Sequence, residues 1–148
     1  MTGTLTRERV WDIWRYHPAA VGRMVGFRDL TDELHGRWMQ RILYGDGDYT
    51  LQAHRLSYKS SCLSVALAMW CVLHHGENAL FIRKTDTDTV ESIAQAKKVF
   101  ESEAFRHMAG VLLQTDVSLV KSTVNALTAS TYDSPRGAEQ LLGVGIGG

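Results

Sequence analysis

Lys59 and Ser60 stand side by side at the end of a polar stretch, Gln52-Ala53-His54-Arg55-Leu56-Ser57-Tyr58-Lys59-Ser60-Ser61. An apolar run from Cys62 to Leu73 follows at once and reads as a buried helix. An ammonium and a hydroxyl at a helix start suit a phosphate ligand. The first helical turn offers unpaired backbone N–H groups and the positive end of the helix dipole. Lys59 can reach β- and γ-phosphate oxygens from there, and the Ser60 hydroxyl can hold Mg²⁺. Ahead of the stretch, Asp48-Tyr49-Thr50-Leu51 reads as a strand. Strand, polar loop, lysine, hydroxyl and helix is the order of a phosphate-binding loop.

The stretch departs from G-x-x-x-x-G-K-[ST]. Counting back from Lys59, Ala53 holds the first glycine position and Tyr58 the second. Such loops favour glycine because backbone N–H groups must turn toward the anion, sometimes at positive φ. A plainer reading is a surface turn with an ordinary helix cap at Ser57 or Ser60.

Over a longer span the chain resembles the ATPase domain of large terminase subunits from tailed bacteriophages. The resembling segments are Thr50 to Cys62, Leu80-Phe81-Ile82-Arg83-Lys84-Thr85-Asp86, and Ser130 to Gly148 with Arg136-Gly137 and Glu139-Gln140-Leu141-Leu142. A weaker likeness runs from Leu30 through Trp38. One branch of that family has the loop Ala-His-Arg-Gly-Ser-Tyr-Lys-Thr. This chain matches it at Ala53, His54, Arg55, Ser57, Tyr58 and Lys59, with Ser60 for threonine and Leu56 for glycine.

The resemblance implies an incomplete α/β fold of the P-loop NTPase type (RecA/ASCE-like), a three-layer sheet preceded by a helical segment. It implies ATP and Mg²⁺ as cofactors, bound by Ala53, His54, Arg55, Leu56, Ser57, Tyr58, Lys59, Ser60 and Ser61. Lys59 would act on the β/γ-phosphates, and Arg55 would stabilise charge or sense the nucleotide. Ser60 would ligate the metal. Arg83-Lys84 would belong to the motor core, and His35 and Trp38 would lie near the base. The whole protein would move double-stranded DNA into a capsid at the expense of ATP, then cut it. Its partners would be DNA, the portal protein, a small terminase subunit and copies of itself in a ring, in the host cytoplasm and away from membranes. Plainer roles stand beside these. Arg55 can be a surface cation, Arg83-Lys84 a solvent-facing pair, and Trp38 part of an apolar helix stripe. Leu56 would cost about 1 kcal/mol or more if its position needs left-handed geometry.

The chain has 148 residues, 45% hydrophobic and 22% charged, which is ordinary for one globular domain and argues against disorder. Lys plus Arg and Asp plus Glu are 16 each, so no basic excess supports strong intrinsic nucleic-acid binding. Cys62 and Cys71 lie in the apolar helix and read as small buried apolar residues. The start has no signal-peptide core, and the longest apolar run, about a dozen residues, is too short for a bilayer.

The elements that must position the loop follow from pattern. Thr6 to Tyr16 reads as a capped helix with a stripe of Val10, Trp11, Ile13 and Trp14. Pro18 opens a second helix that Gly26 ends. Thr31 opens a third, to about Tyr44. Gly45-Asp46-Gly47-Asp48 is a turn, dividing a helical front (1–47) from an α/β body (48–148). In the body the helix runs from about Lys59 to His75. A strand at Ala79–Ile82 would pair in parallel with the strand ahead of the loop. A helix starts within Thr85 to Asp88 and runs to about Glu101, with Asp88 and Glu91 at capping-box spacing, and another spans about Glu103 to Leu113. Val117–Val120 and Val124–Ala129 read as a hairpin through Lys121-Ser122-Thr123, and Leu141–Ile146 is a last apolar run.

Hydrolysis in this class needs an acid at the end of an apolar strand. The nearest candidates, Asp86 after Leu80-Phe81-Ile82 and Asp116 after Val111-Leu112-Leu113, are separated from their apolar runs by polar residues. The expectation is a piece of a packaging ATPase ending before the acidic Walker B strand and the nuclease domain. Such a piece would be inactive alone and prone to aggregate. The alternatives are another P-loop NTPase, helicase-like or a small kinase, and a remnant without nucleotide binding.

Overall fold

The computed structural model describes residues 4–47, 50–54, 56–133 and 139–147. Helix α1 spans Arg7–Tyr16, and Thr6 caps it by accepting the Arg9 N–H at 3.2 Å. Its Val10 and Trp14 point inward. Helix α2 (Pro18–Met24) starts on proline and ends at Gly26, whose φ of 116° is open to glycine at little cost. The third helix begins at Thr31 as expected, but its first turn is wide. Asp32–Gly36 form a π-helical turn, closed by the Gly36 N–H on the Thr31 carbonyl at 2.9 Å, and α3 (Arg37–Tyr44) continues from it. His35, Met39 and Leu43, four residues apart, share the buried side.

Helix α4 (Lys59–Leu73) is buried almost all round, as its composition requires. Strand β1 (Ala79–Arg83) and helices α5 (Asp86–Glu101) and α6 (Glu103–Leu113) follow, then β2 (Leu119–Thr123), β3 (Ala126–Ala129) and β4 (Leu141–Gly145). The strands form one mixed sheet, β1-β4-β3-β2. β1 and β4 are parallel, from Ala79 opposite Leu141 to Arg83 opposite Gly145, and the other pairs are antiparallel. Helix α5 lies against β4, where a Cβ on Gly143 would run into Thr89 and one on Gly145 into the Asp86 backbone. One apolar core joins α1, α2, α3, α4, α5, α6 and the sheet.

An α/β fold with a helical front is therefore what the chain adopts, and four details differ from expectation. No strand precedes the loop among the described residues. Thr50 to His54 has no ladder partner, and Asp48 and Tyr49 lie outside the described residues. β-propensity at Thr50-Leu51 cannot make a strand without a neighbour to take its N–H and C=O groups. β1 pairs in parallel with β4 instead. Secondly, β1 and β4 carry a helix on one face only, where three layers were expected. Strand alternation puts Arg83 and Gly143 toward α5, whereas Leu80, Ile82, Val144 and Ile146 face the other way and are exposed. Thirdly, the helix starts within Thr85 to Asp88 as expected, but its cap is Thr85, which accepts the Asp88 N–H at 3.1 Å, so Asp88 sits inside the first turn and heads no capping box. Fourthly, the hairpin turns at Val124-Asn125, because the strands pair through Thr123 and Ala126.

Gln140 has no role that pattern alone suggests, yet it is fully buried and joins three elements. Its Nε2 donates to the carbonyls of Cys71 (2.8 Å) and His74 (3.2 Å), and its Oε1 accepts the Ala129 N–H at 3.1 Å. The C-terminal end of α4 is thereby tied to the sheet. No helix among the described residues is long and apolar enough to cross a membrane.

Candidate phosphate-binding site

Lys59 is the first residue of α4, with Ser60 and Ser61 after it. The first helical bond is the Cys62 N–H on the Tyr58 carbonyl, at 2.9 Å. Helical geometry leaves the N–H groups of Lys59, Ser60 and Ser61 without an acceptor in the helix, and no side chain caps them. The plainer capping reading is thus not realised: Ser57 donates its hydroxyl to the His54 carbonyl at 2.6 Å, away from α4. It folds the loop onto itself.

The loop carries two left-handed residues, Leu56 (φ 62°) and Tyr58 (φ 61°). Both stand where a glycine is missing, Leu56 against the resembling loop and Tyr58 against the general pattern, whereas Ala53, at the first glycine position, is not left-handed. The strain expected at Leu56 is present, about 1–2 kcal/mol for an L-residue in this conformation. Leu56 is 95% exposed, so packing does not compensate it. Left-handed residues in a turn aim successive N–H groups into a concavity that suits an anion.

Ala53, His54, Leu56, Ser57, Tyr58, Lys59, Ser60 and Ser61 line one cavity of about 680 Å³, and Arg83 closes it. Every described member of the expected set is therefore in one place; Arg55 lies outside the described residues. Arg83 arrives from the end of β1, its Nη1 donating to Ser92 Oγ at 2.8 Å, so α5 orients the guanidinium. The pair Arg83-Lys84 divides here: Lys84 is exposed and does not line the cavity. A second cavity of about 780 Å³ shares Lys59, Ser60 and Arg83 and runs past Leu51 and β1 to Trp38. Trp38 thus borders the site, whereas His35, 3% exposed, lies beneath it.

Two cationic side chains and no carboxylate border the first cavity among its described lining residues. That electrostatic balance fits phosphate. For Mg²⁺ the same lining offers the Ser60 hydroxyl, so the remaining ligands would come from phosphate oxygens and water. The two candidate acids are engaged elsewhere. Asp86 opens α5 and accepts the Gly145 N–H at 3.1 Å, and Asp116 follows a helix and pairs with Arg106 at 3.6 Å. Cys62, in the first turn of α4, has its thiol pushed up to about 12 by burial, so it is no thiolate nucleophile.

The way the loop is held does not follow from sequence patterns. The Thr31 N–H donates to His35 Nδ1 at 2.9 Å, and His35 Nε2 faces the Ser57 carbonyl at 2.6 Å. A signal is present in that His35 has the spacing of Met39 and Leu43, which marks a buried position. Only the fold shows what it meets there. No family model, curated protein or solved structure matches the chain.

Proposed function

We propose that this chain binds a nucleoside triphosphate, ATP with Mg²⁺, through the loop from Ala53 to Ser61, and that it is the ATP-binding part of a terminase-like DNA-packaging motor of the P-loop type. One observation carries the binding half of this reading. Lys59 begins a buried helix behind a loop bent left-handed at Leu56 and Tyr58, on a cavity bordered by cations. In this reading the amides from about Leu56 to Ser61 cradle the phosphates, Lys59 neutralises β/γ oxygens, Ser60 holds Mg²⁺, and Arg55 and Arg83 supply further positive charge. Mg²⁺ supplies charge neutralisation across the phosphates when bound. The DNA, portal, small-subunit and ring partners, and the host-cytoplasm setting, rest on the family resemblance alone.

The cavity supports binding more directly than turnover, because neither Asp86 nor Asp116 lines it. Titration of the chain with Mg-ATP tests the reading. Saturable binding is expected, and Lys59→Ala should weaken it about 100-fold, as loss of a charge-assisted contact does. Unchanged affinity in that variant would refute the loop assignment. No ATP turnover is expected from the chain by itself. An absence of any nucleotide binding would favour the reading as a folded remnant.

A further inference from the structure

We infer that His35 is a positioning residue for the phosphate loop: its neutral imidazole, protonated on Nε2, pins the Ser57 carbonyl and so holds the left-handed bends on either side. The functional importance of the clasp rests on reading that loop as the phosphate site. The tautomer follows from the partners. A backbone N–H only donates, so the Thr31 N–H at 2.9 Å from Nδ1 requires that nitrogen to bear a lone pair. The proton then sits on Nε2, which donates to the Ser57 carbonyl at 2.6 Å. Both ring nitrogens are used, one on the helical front and one on the loop.

The ring is fixed in place from several sides. Trp38 meets it edge-on at 5.1 Å and Tyr58 at 6.3 Å, and the Cys62 thiol donates to the His35 carbonyl at 3.7 Å. The wide turn from Asp32 to Gly36 sets its phase, as inserted π turns often do near functional positions. That turn is itself anchored by Arg23, which donates to the Leu30 carbonyl at 2.9 Å and to Asp32 at 3.1 Å.

Ser57 lies between Leu56 and Tyr58, the two strained residues. Neither has glycine's freedom, so the bends need an outside restraint. One part-buried hydrogen bond is of the same order as the strain of one left-handed residue. The helical front therefore contributes to the shape of the loop through the His35 ring.

Two substitutions separate the ring's halves. His35→Gln can place an N–H where Nε2 lies and keep the Ser57 bond, whereas His35→Asn can place an oxygen near Nδ1 and keep only the Thr31 bond. Amide hydrogen exchange at Cys62, whose N–H holds the Tyr58 carbonyl at 2.9 Å, should quicken about tenfold in His35→Asn and stay within about threefold of the parent in His35→Gln, a difference worth one hydrogen bond. Equal exchange in both variants, fast or slow, overturns the inference. In the unaltered chain, nitrogen NMR should show Nδ1 as the unprotonated nitrogen of His35; the opposite tautomer also overturns it. This measurement decides the matter even if a variant fails to fold. Mg-ATP affinity should fall about tenfold in His35→Asn and recover in His35→Gln. If the parent chain binds no nucleotide while the exchange pattern holds, the proposed function fails and the clasp stands.

Discussion

The two ends of α4 are built on opposite terms. At its C-terminal end, Gln140 takes up the carbonyls of Cys71 and His74, and the His74 ring donates from Nε2 to the Leu43 carbonyl at 2.8 Å. Trp70 stacks on the same ring at 5.3 Å. At its N-terminal end no side chain caps the helix, two L-residues sit left-handed, and a cation begins the first turn. Both ends leave helical groups without partners by geometry. One end has the Cys71 and His74 carbonyls taken up inside the protein, and the other leaves donors facing a cavity. A fold that can lock one end so completely gains nothing in stability by straining the other, which makes the open end the place to look for a ligand.

Gln140→Leu should have the largest effect on this contrast. It strands the Ala129 N–H and the Cys71 carbonyl, while the His74 carbonyl keeps the Glu77 N–H at 3.1 Å, and about 3 kcal/mol of stability should go, measured by denaturant unfolding. Nucleotide affinity, measured where the variant remains folded, should hardly change. A matching loss of affinity would mean the two ends are coupled and would break the comparison. At the other end Lys59→Ala should do the reverse, removing binding with the unfolding midpoint nearly unmoved. Leu56→Gly sharpens the argument about strain. Glycine accepts the φ of 62°, and the lost side chain is exposed, so the chain should gain about 1 kcal/mol with the loop geometry kept. Destabilisation there would show that the left-handed bend is not a strained state.

The smallest effect concerns pH. Burial pushes the Cys62 and Cys71 thiols up from 9.0 to about 12, and it lifts the Tyr44 hydroxyl from 10.0 to about 12 against the lowering effect of Arg15. A raised acid stays protonated in the fold and ionises first in the unfolded chain. Stability is therefore full below about pH 9 and falls as pH rises toward 12, since the native state then holds more protons. Thermal midpoints read from pH 8 to 11 should decline, and Cys62→Ala with Cys71→Ala should flatten the slope below pH 10. A flat profile in the parent would mean that the thiols are not shielded.

Part of the fold is legible in the residues alone, and the departures from expectation have a common form. Thr6, Pro18 and Thr31 begin helices because capping chemistry is local. The Lys59 helix follows from its apolar run, broken only by Ser64. The expected strand at Asp48-Tyr49-Thr50-Leu51 depends on a neighbour, and β1 takes β4 as its parallel partner. Leu80 and Ile82, strand-like by composition, face outward where a second helical layer is expected. They form an exposed apolar face with Val144 and Ile146.

What the sequence determined by itself is local. It set a helix that must begin near Lys59, a loop with cation and hydroxyl at its end, and three positions, Ala53, Leu56 and Tyr58, lacking the glycine such a loop favours. Tertiary structure alone decided that Leu56 and Tyr58 adopt the bend anyway, that Arg83 rather than Lys84 closes the cavity, and that His35 and Gln140 hold the loop and the far end of α4. The reason is physical: caps and apolar runs act over a few residues of chain. A left-handed φ, a pinned carbonyl and a guanidinium aimed by Ser92 depend on groups that meet only when distant segments pack.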